Sequence, residues 1–210
     1  PASPAPFLQG AMTRTANPTD VAMRGPGVFL VRDPVTWELF ATRAGMFLVD
    51  SNNYLITYDR KRLQGLLPTG DTLGDLQVGA MIPRDASPEA TAYGFWIDEV
   101  GAVTSYFTDG TSAKQGQILL YDFQQPEKLR PAGMGQFAGV NAAQPHRIPQ
   151  EPRYGPGTSW LRAQALELIN VPSDLLARRR QLSFFQQGAL FQTDHPADLA
   201  IDGQGFFLLQ

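Results

Sequence analysis

Cysteine is absent from this 210-residue chain. That removes disulfides, thiolate metal sites and cysteine nucleophiles together. Histidine occurs only at His146 and His195, in Pro-flanked stretches far apart in sequence. Without ligand spacing they read as surface side chains rather than a metal pair or a catalytic base. Charged residues are only 18% of the chain and the formal net charge is −3, so there is no electrostatic footprint for nucleic acid. No apolar run approaches the ~18 residues of a spanning helix. No basic stretch leading into an apolar core opens the chain. Pro1 stands where an initiator Met would, which points to a trimmed start.

What is present is turn chemistry and apolar bulk: 20 Gly, 17 Pro and 43% apolar residues. That mix suits many short strands joined by turns. The expected fold is mainly β, an irregular barrel or sandwich of short antiparallel strands, with short helices near the C-terminus. Residues 1–8 read as a linker, opening on PASPAP. Residues 9–158 read as one β domain. Within it DVAM, VFLV, YLITYD and GQILLYDF are of strand length, and YGFWIDEVGAVTSYF reads as two strands about Asp98–Gly101. QPEKLRPAG is expected to hold one helical turn. Residues 138–158, rich in Pro, Gly, Asn and Gln, read as a long surface loop. Residues 159–186 read as a helical segment: Leu161, Ala165, Leu168 and Ile169 fall at helical spacing, Pro172 interrupts, and Ser173 or Asp174 caps a second short helix.

Residues 187–210 read as a partial second copy of the domain's opening. QGAMTRTANPTDVAMRGPGVFLV (9–31) aligns with QGALFQTDHPADLAIDGQGFFLL (187–209), and eleven of 23 positions are identical without gaps. The shared pattern is a Pro–Asp turn, an alternating apolar strand, two glycines and a second apolar strand. One full unit and the opening of another are therefore expected, from a tandem gene or an engineered fusion. A free strand edge invites pairing, so residues 196–210 are expected to add as strands to a neighbouring β domain.

Few side chains suggest chemistry. GPG and GQG lack the G-x-G-x-x-G pattern of a phosphate loop. Asp98 and Glu99 are adjacent, so on a strand they face opposite ways and form no carboxylate pair; Asp98 is expected to bond a turn. Arg178–Arg180 is the one dense basic run and reads as a solvated helix end. Trp37 is the candidate exposed aromatic. No catalytic, cofactor-binding or metal residue is assigned, no cofactor is called for, and no enzymatic activity is expected.

The ordered blocks resemble a known family. TANPTDVAMRGPGVFLVRDP, then FATRAGMFLVDSNNYLITYDRKRLQG, resemble the start of the β domain in bacterial flagellar hook and basal-body rod proteins. Thr42, Arg43, Gly45, Phe47, Asp50 and Leu55 match its second block. A later block matches through Asp98, Gly101, Val103, Gly110, Gly116, Gln117, Ile118, Phe123, Pro126, Leu129, Gly133 and Phe137. RAQALELINVPSDLL is similar to the block that leads into the family's C-terminal helix. Asn53 replaces the usual turn Gly, Ile169 the usual Ser and Pro172 the usual Asp. Too few residues separate Gly65 from Phe95 for an extra outer domain, which suits a compact rod-type or minimal hook-type subunit.

The resemblance implies a structural subunit exported by the flagellar type III apparatus. It implies self-assembly, with neighbouring axial proteins, into a helical tube that transmits torque. The β domain would form an outer layer and terminal helices the inner core. Hook and rod remain alternatives. A cell-surface binding or adhesion module on an all-β scaffold is the other reading.

Overall fold

A computed structural model describes residues 7, 9–70, 72–151 and 158–177. The protein is mainly β. Its strands are β1 (Met12–Arg14), β2 (Val21–Arg24), β3 (Phe29–Arg32), β4 (Leu39–Thr42), β5 (Leu48–Val49), β6 (Leu55–Ile56), β7 (Arg62–Leu66) and β8 (Leu73–Asp75). They continue as β9 (Ala92–Ile97), β10 (Ala102–Phe107), β11 (Ser112–Ile118), β12 (Tyr121–Phe123), β13 (Arg130–Gly133), β14 (Gln136–Ala138), β15 (Pro145–Arg147), β16 (Trp160–Ala163) and β17 (Ala165–Glu167). The main sheet runs β13-β14-β4-β3-β7-β11-β10-β9, with β5, β6 and β8 attached beside β7. Its two ends do not pair with each other, so it is not a closed barrel. Three two-stranded ladders complete the domain: β1 with β17, β12 with β15, and β16 with β2.

The run VFLV shows why the centre of the sheet is buried on both sides. Side chains alternate faces along a strand. Phe29 and Val31 join one apolar cluster with Val21, Met23, Phe47, Leu55 and Leu63. Val28 and Leu30 join a second cluster with Ala41, Leu119, Tyr121 and Phe123. Ile118 and Leu120 go to the first cluster while Leu119 and Tyr121 go to the second. A strand covered on both faces needs apolar residues at every position, hence a continuous run rather than alternation. Phe29 and Phe47 meet edge-to-face at 5.3 Å between ring centres, the arrangement that ring quadrupoles favour.

Gly45 locks β2 to this core. Its carbonyl accepts the Val21 N–H at 2.9 Å, and a Cβ on it would lie 1.7 Å from the Val21 carbonyl oxygen. Only glycine permits that approach. Asn53 adopts φ 64°, which Asn tolerates better than most residues. Asp50 Oδ1 accepts the amides of Asn52 and Tyr54, both at 2.9 Å, and closes the same turn.

Two sequence expectations are corrected. Residues 159–167 are not helical: β16 and β17 occupy them. Leu161 and Ala165 are four apart, a spacing that repeats on a strand face as well as on a helix face. The backbone is instead satisfied by ladders, Trp160–Ala163 against β2 and Ala165–Glu167 against β1. Gln164 at φ 52° turns the chain between them. A 3-10 turn follows at Leu168–Asn170, where Leu168 and Ile169 are exposed rather than core-facing. Residues 138–158 are likewise not a plain surface loop. They contain β15, paired with β12, and bury Val140, Ala143 and Ile148.

The expected helical turn in QPEKLRPAG is a 3-10 turn at Pro126–Lys128. The chain divides into compact units Pro1–Pro172 and Ser173–Gln210. In the second unit the described residues 173–177 are helical. The linker PASPAP, Arg178–Arg180, His195, the partial repeat 187–210 and the strand expectation for 196–210 lie outside the described residues.

Candidate functional site

A buried ion pair lies where three sequence blocks converge. Arg43 and Glu167 are 124 positions apart, and their side chains are only 3% and 1% exposed. Arg43 Nε donates to Glu167 Oε2 at 2.7 Å. The rest of the guanidinium donates to the carbonyls of Gly27 (2.9 Å) and Gly25 (3.0 Å) and to Gln9 Oε1 (2.9 Å). Glu167 Oε1 in turn accepts from Gln9 Nε2 at 2.6 Å and from the Gly10 N–H. Burying two ions is costly unless the pair is well aligned and its remaining donors and acceptors are filled. Here they are. The cluster holds Gln9 and Gly10 beside Glu167, next to the β1–β17 ladder in which Met12 faces Glu167. The chain thus enters and leaves the β domain side by side.

The GPG turn has the wrong polarity for a phosphate. Gly25 and Gly27 adopt φ 100° and 116°, and it is their carbonyl oxygens that converge, on a cation. A phosphate cradle requires convergent N–H groups.

A second ionic group reaches the surface. Asp75 accepts from Arg32 Nε (2.9 Å), Arg62 Nη1 (3.0 Å) and Gln64 Nε2 (2.6 Å). Burial alone would raise the Asp75 carboxyl, but these donors outweigh it and hold the pKa below the ordinary value of 3.8. The Trp37 ring covers the Arg32 guanidinium at 3.9 Å, and the Tyr54 ring covers Arg62 at 3.8 Å. Trp37 is 68% exposed, as the sequence suggested, and takes φ 64° in the turn Asp33–Glu38. Asp59 behaves like Asp75: burial opposes ionisation, while bonds from Lys61, Thr57 and Gln136 hold its carboxyl low.

The remaining sequence candidates make no site together. Asp98 Oδ1 accepts the amides of Val100 (3.0 Å) and Ala102 (2.7 Å), so it closes the β9–β10 turn. Glu99 is exposed beside it. His146 is exposed on β15, opposite Asp122 of β12. Among the described residues no group of three or more His, Cys, Asp or Glu is placed to hold a metal ion. No helix of the described residues is long and apolar enough to cross a membrane.

Among the described residues, two surface hollows stand out. One, of about 550 Å³, is mainly apolar and lined by Val49, Val78, Ile82, Tyr93, Phe95 and Phe107 among others. The other, of about 740 Å³, lies between β9 and β16 and is lined by charged residues and two tryptophans. Sequence reading missed the Arg43–Glu167 pair and the second hollow, because each joins residues far apart in the chain. The one available signal was that Arg43 and Glu167 both sit in family-like blocks. No family model matches the chain, and no curated protein matches it.

Proposed function

We propose that the chain is a structural, self-assembling subunit of the bacterial flagellar axial structure, hook or rod, with no catalytic role. The ordered blocks of the sequence suggest it. The observation that carries it is the Arg43–Glu167 cluster. Arg43 comes from the block FATRAGMF, Glu167 from LELINV, and Gly25 and Gly27 from TANPTDVAMRGPGVFLVRDP, while Gln9 and Gly10 stand just ahead of that block. Three separated motifs thus build one clamp, which supports reading them as parts of a single domain plan.

That clamp sets the domain's first and last strands side by side. Such an arrangement suits a β domain carried as an outward insertion on an inner core made by both chain ends. The absence of any catalytic grouping among the described residues is neutral to this reading. Electron microscopy of the full-length protein tests it: helical tubes are expected. Dispersed particles across concentration and ionic strength would overturn it and favour a surface-binding module.

A further inference from the structure

We propose that the cleft between the open edges of β9 and β16 is a strand-acceptor site, and that it takes residues 196–210 of a second copy of this chain. The inference rests on the self-assembly reading and names its contact.

Both walls are strand edges without a partner strand. Among the described strands β9 pairs only with β10, and β16 only with β2. The Leu161 N–H donates to the Glu99 carbonyl at 2.9 Å, which pins the two edges at one end. By the two-residue period, the Ala163 amide faces the same side as that of Leu161. An extended peptide laid along such an edge completes its main-chain hydrogen bonds.

The side chains narrow the choice of peptide. Trp96, 47% exposed, and Trp160 both line the cleft. Trp160 Nε1 and Thr15 Oγ1, on two of its lining residues, are buried without a hydrogen-bond partner among the described residues. Such groups normally find one. Arg14 and Arg162 also line the cleft and make no ion pair among the described residues. Asp98 is committed to its own turn. The exposed Glu99 lines it too. Among the described residues the cleft therefore offers two arginines outside any ion pair against one such carboxylate, two indole rings and strand edges without a partner strand. That is a site for an extended, acidic and apolar polypeptide.

Residues 196–210, PADLAIDGQGFFLLQ, have that chemistry. They carry Asp198 and Asp202 and no Lys or Arg. In extended form Asp198, Ala200 and Asp202 fall on one side and Leu199 and Ile201 on the other. The equivalent stretch of the first copy, Val21–Arg24, already pairs with the opposite edge of β16, setting Arg24 against Trp160. The second copy has Asp202 at the place of Arg24. That reversal of charge suits the cleft that Arg14 of β1 and Arg162 of β16 line.

Because the chain has no cysteine, introduced thiols report the contact cleanly. Equal amounts of A163C and A200C chains are mixed and oxidised. A disulfide-linked heterodimer is expected, reduced at least about tenfold when A163C also carries R14E and R162E, and restored when A200C also carries D198R and D202R. V35C, exposed on the β3–β4 turn and outside the cleft lining, serves as the control. A synthetic 196–210 peptide titrated into a W37F chain should change the fluorescence of Trp96 and Trp160. Capture at V35C equal to that at A163C would overturn the proposal. So would faster amide exchange in β2 on adding peptide, which would mean the segment displaces residues 21–24. Tubes that form unchanged with R14E/R162E would refute the cleft while leaving the axial reading intact. Charge-dependent capture without tubes would do the reverse.

Discussion

Replacing Glu167 by Leu tests whether the Arg43 cluster is the clamp that joins the ends of the β domain. The substitution removes the one carboxylate that, among the described residues, pairs with a guanidinium that is 3% exposed. It also strips the acceptor from the Gly10 N–H and leaves Gln9 Nε2 only its longer bonds to the Gly10 and Met23 carbonyls. Arg43 keeps three neutral acceptors, the Gly25 and Gly27 carbonyls and Gln9 Oε1, but no countercharge. Breaking a buried pair from one side costs about 3–5 kcal/mol, a large part of a total stability of about 5–15 kcal/mol. R43M leaves Glu167 buried without its cation and should cost about as much. The double variant R43M/E167L removes both ions. It leaves only neutral partners unsatisfied, at about 1–3 kcal/mol each at most. Its loss should therefore fall well short of the sum of the single losses, with a coupling of at least about 2 kcal/mol. Urea unfolding of the four proteins, followed by tryptophan fluorescence with the slope checked for constancy, measures this. Single losses below about 1 kcal/mol, or losses additive to within about 0.5 kcal/mol, would show that the cluster is not the clamp.

G45A should prevent β2 from docking, because the added Cβ meets a backbone carbonyl at 1.7 Å rather than a flexible side chain. A loss above about 3 kcal/mol, or no cooperative unfolding at all, is expected by urea titration. Acid should destabilise the domain through Asp75 and Asp59. Both have folded pKa values below the ordinary 3.8, so their contribution is present above that pH and is lost as pH falls through the depressed folded values. The D75N variant should show a shallower loss of stability below pH 3.8 than the parent; an identical pH profile would remove Asp75 from the account. W37G exchanges the cation–π contact with Arg32, worth about 0.5–1 kcal/mol at an exposed site, for relief of a positive φ worth about 1–2 kcal/mol. Its melting temperature should stay close to the parent's, and a loss above about 2 kcal/mol would contradict that balance.

Much of the β architecture was legible because local rules carried it. VFLV read as a strand, and Asp98 was expected to bond a turn, since short carboxylates bond nearby amides. Residues 159–167 misled because Leu161 and Ala165 satisfy both periodicities, and only the ladders with β1 and β2 chose between them. The buried side chains of residues 138–158 were hidden for a related reason. A Pro- and Gly-rich composition describes local backbone, whereas Val140 and Ile148 are buried by partners elsewhere in the chain.

By itself, then, the sequence determined the β class, the turn positions, the place of an exposed Trp37 and the repeat of 9–31 in 187–209. These depend on residues within a few positions of one another, or on the chain compared with itself. Only the tertiary structure decided that Arg43 meets Glu167, that β16 pairs with β2, and that an open-edged cleft lies between β9 and β16. Each of those joins segments tens of residues apart. Their pairing is selected by burial and hydrogen-bond satisfaction summed over the whole domain, which no short window of sequence contains.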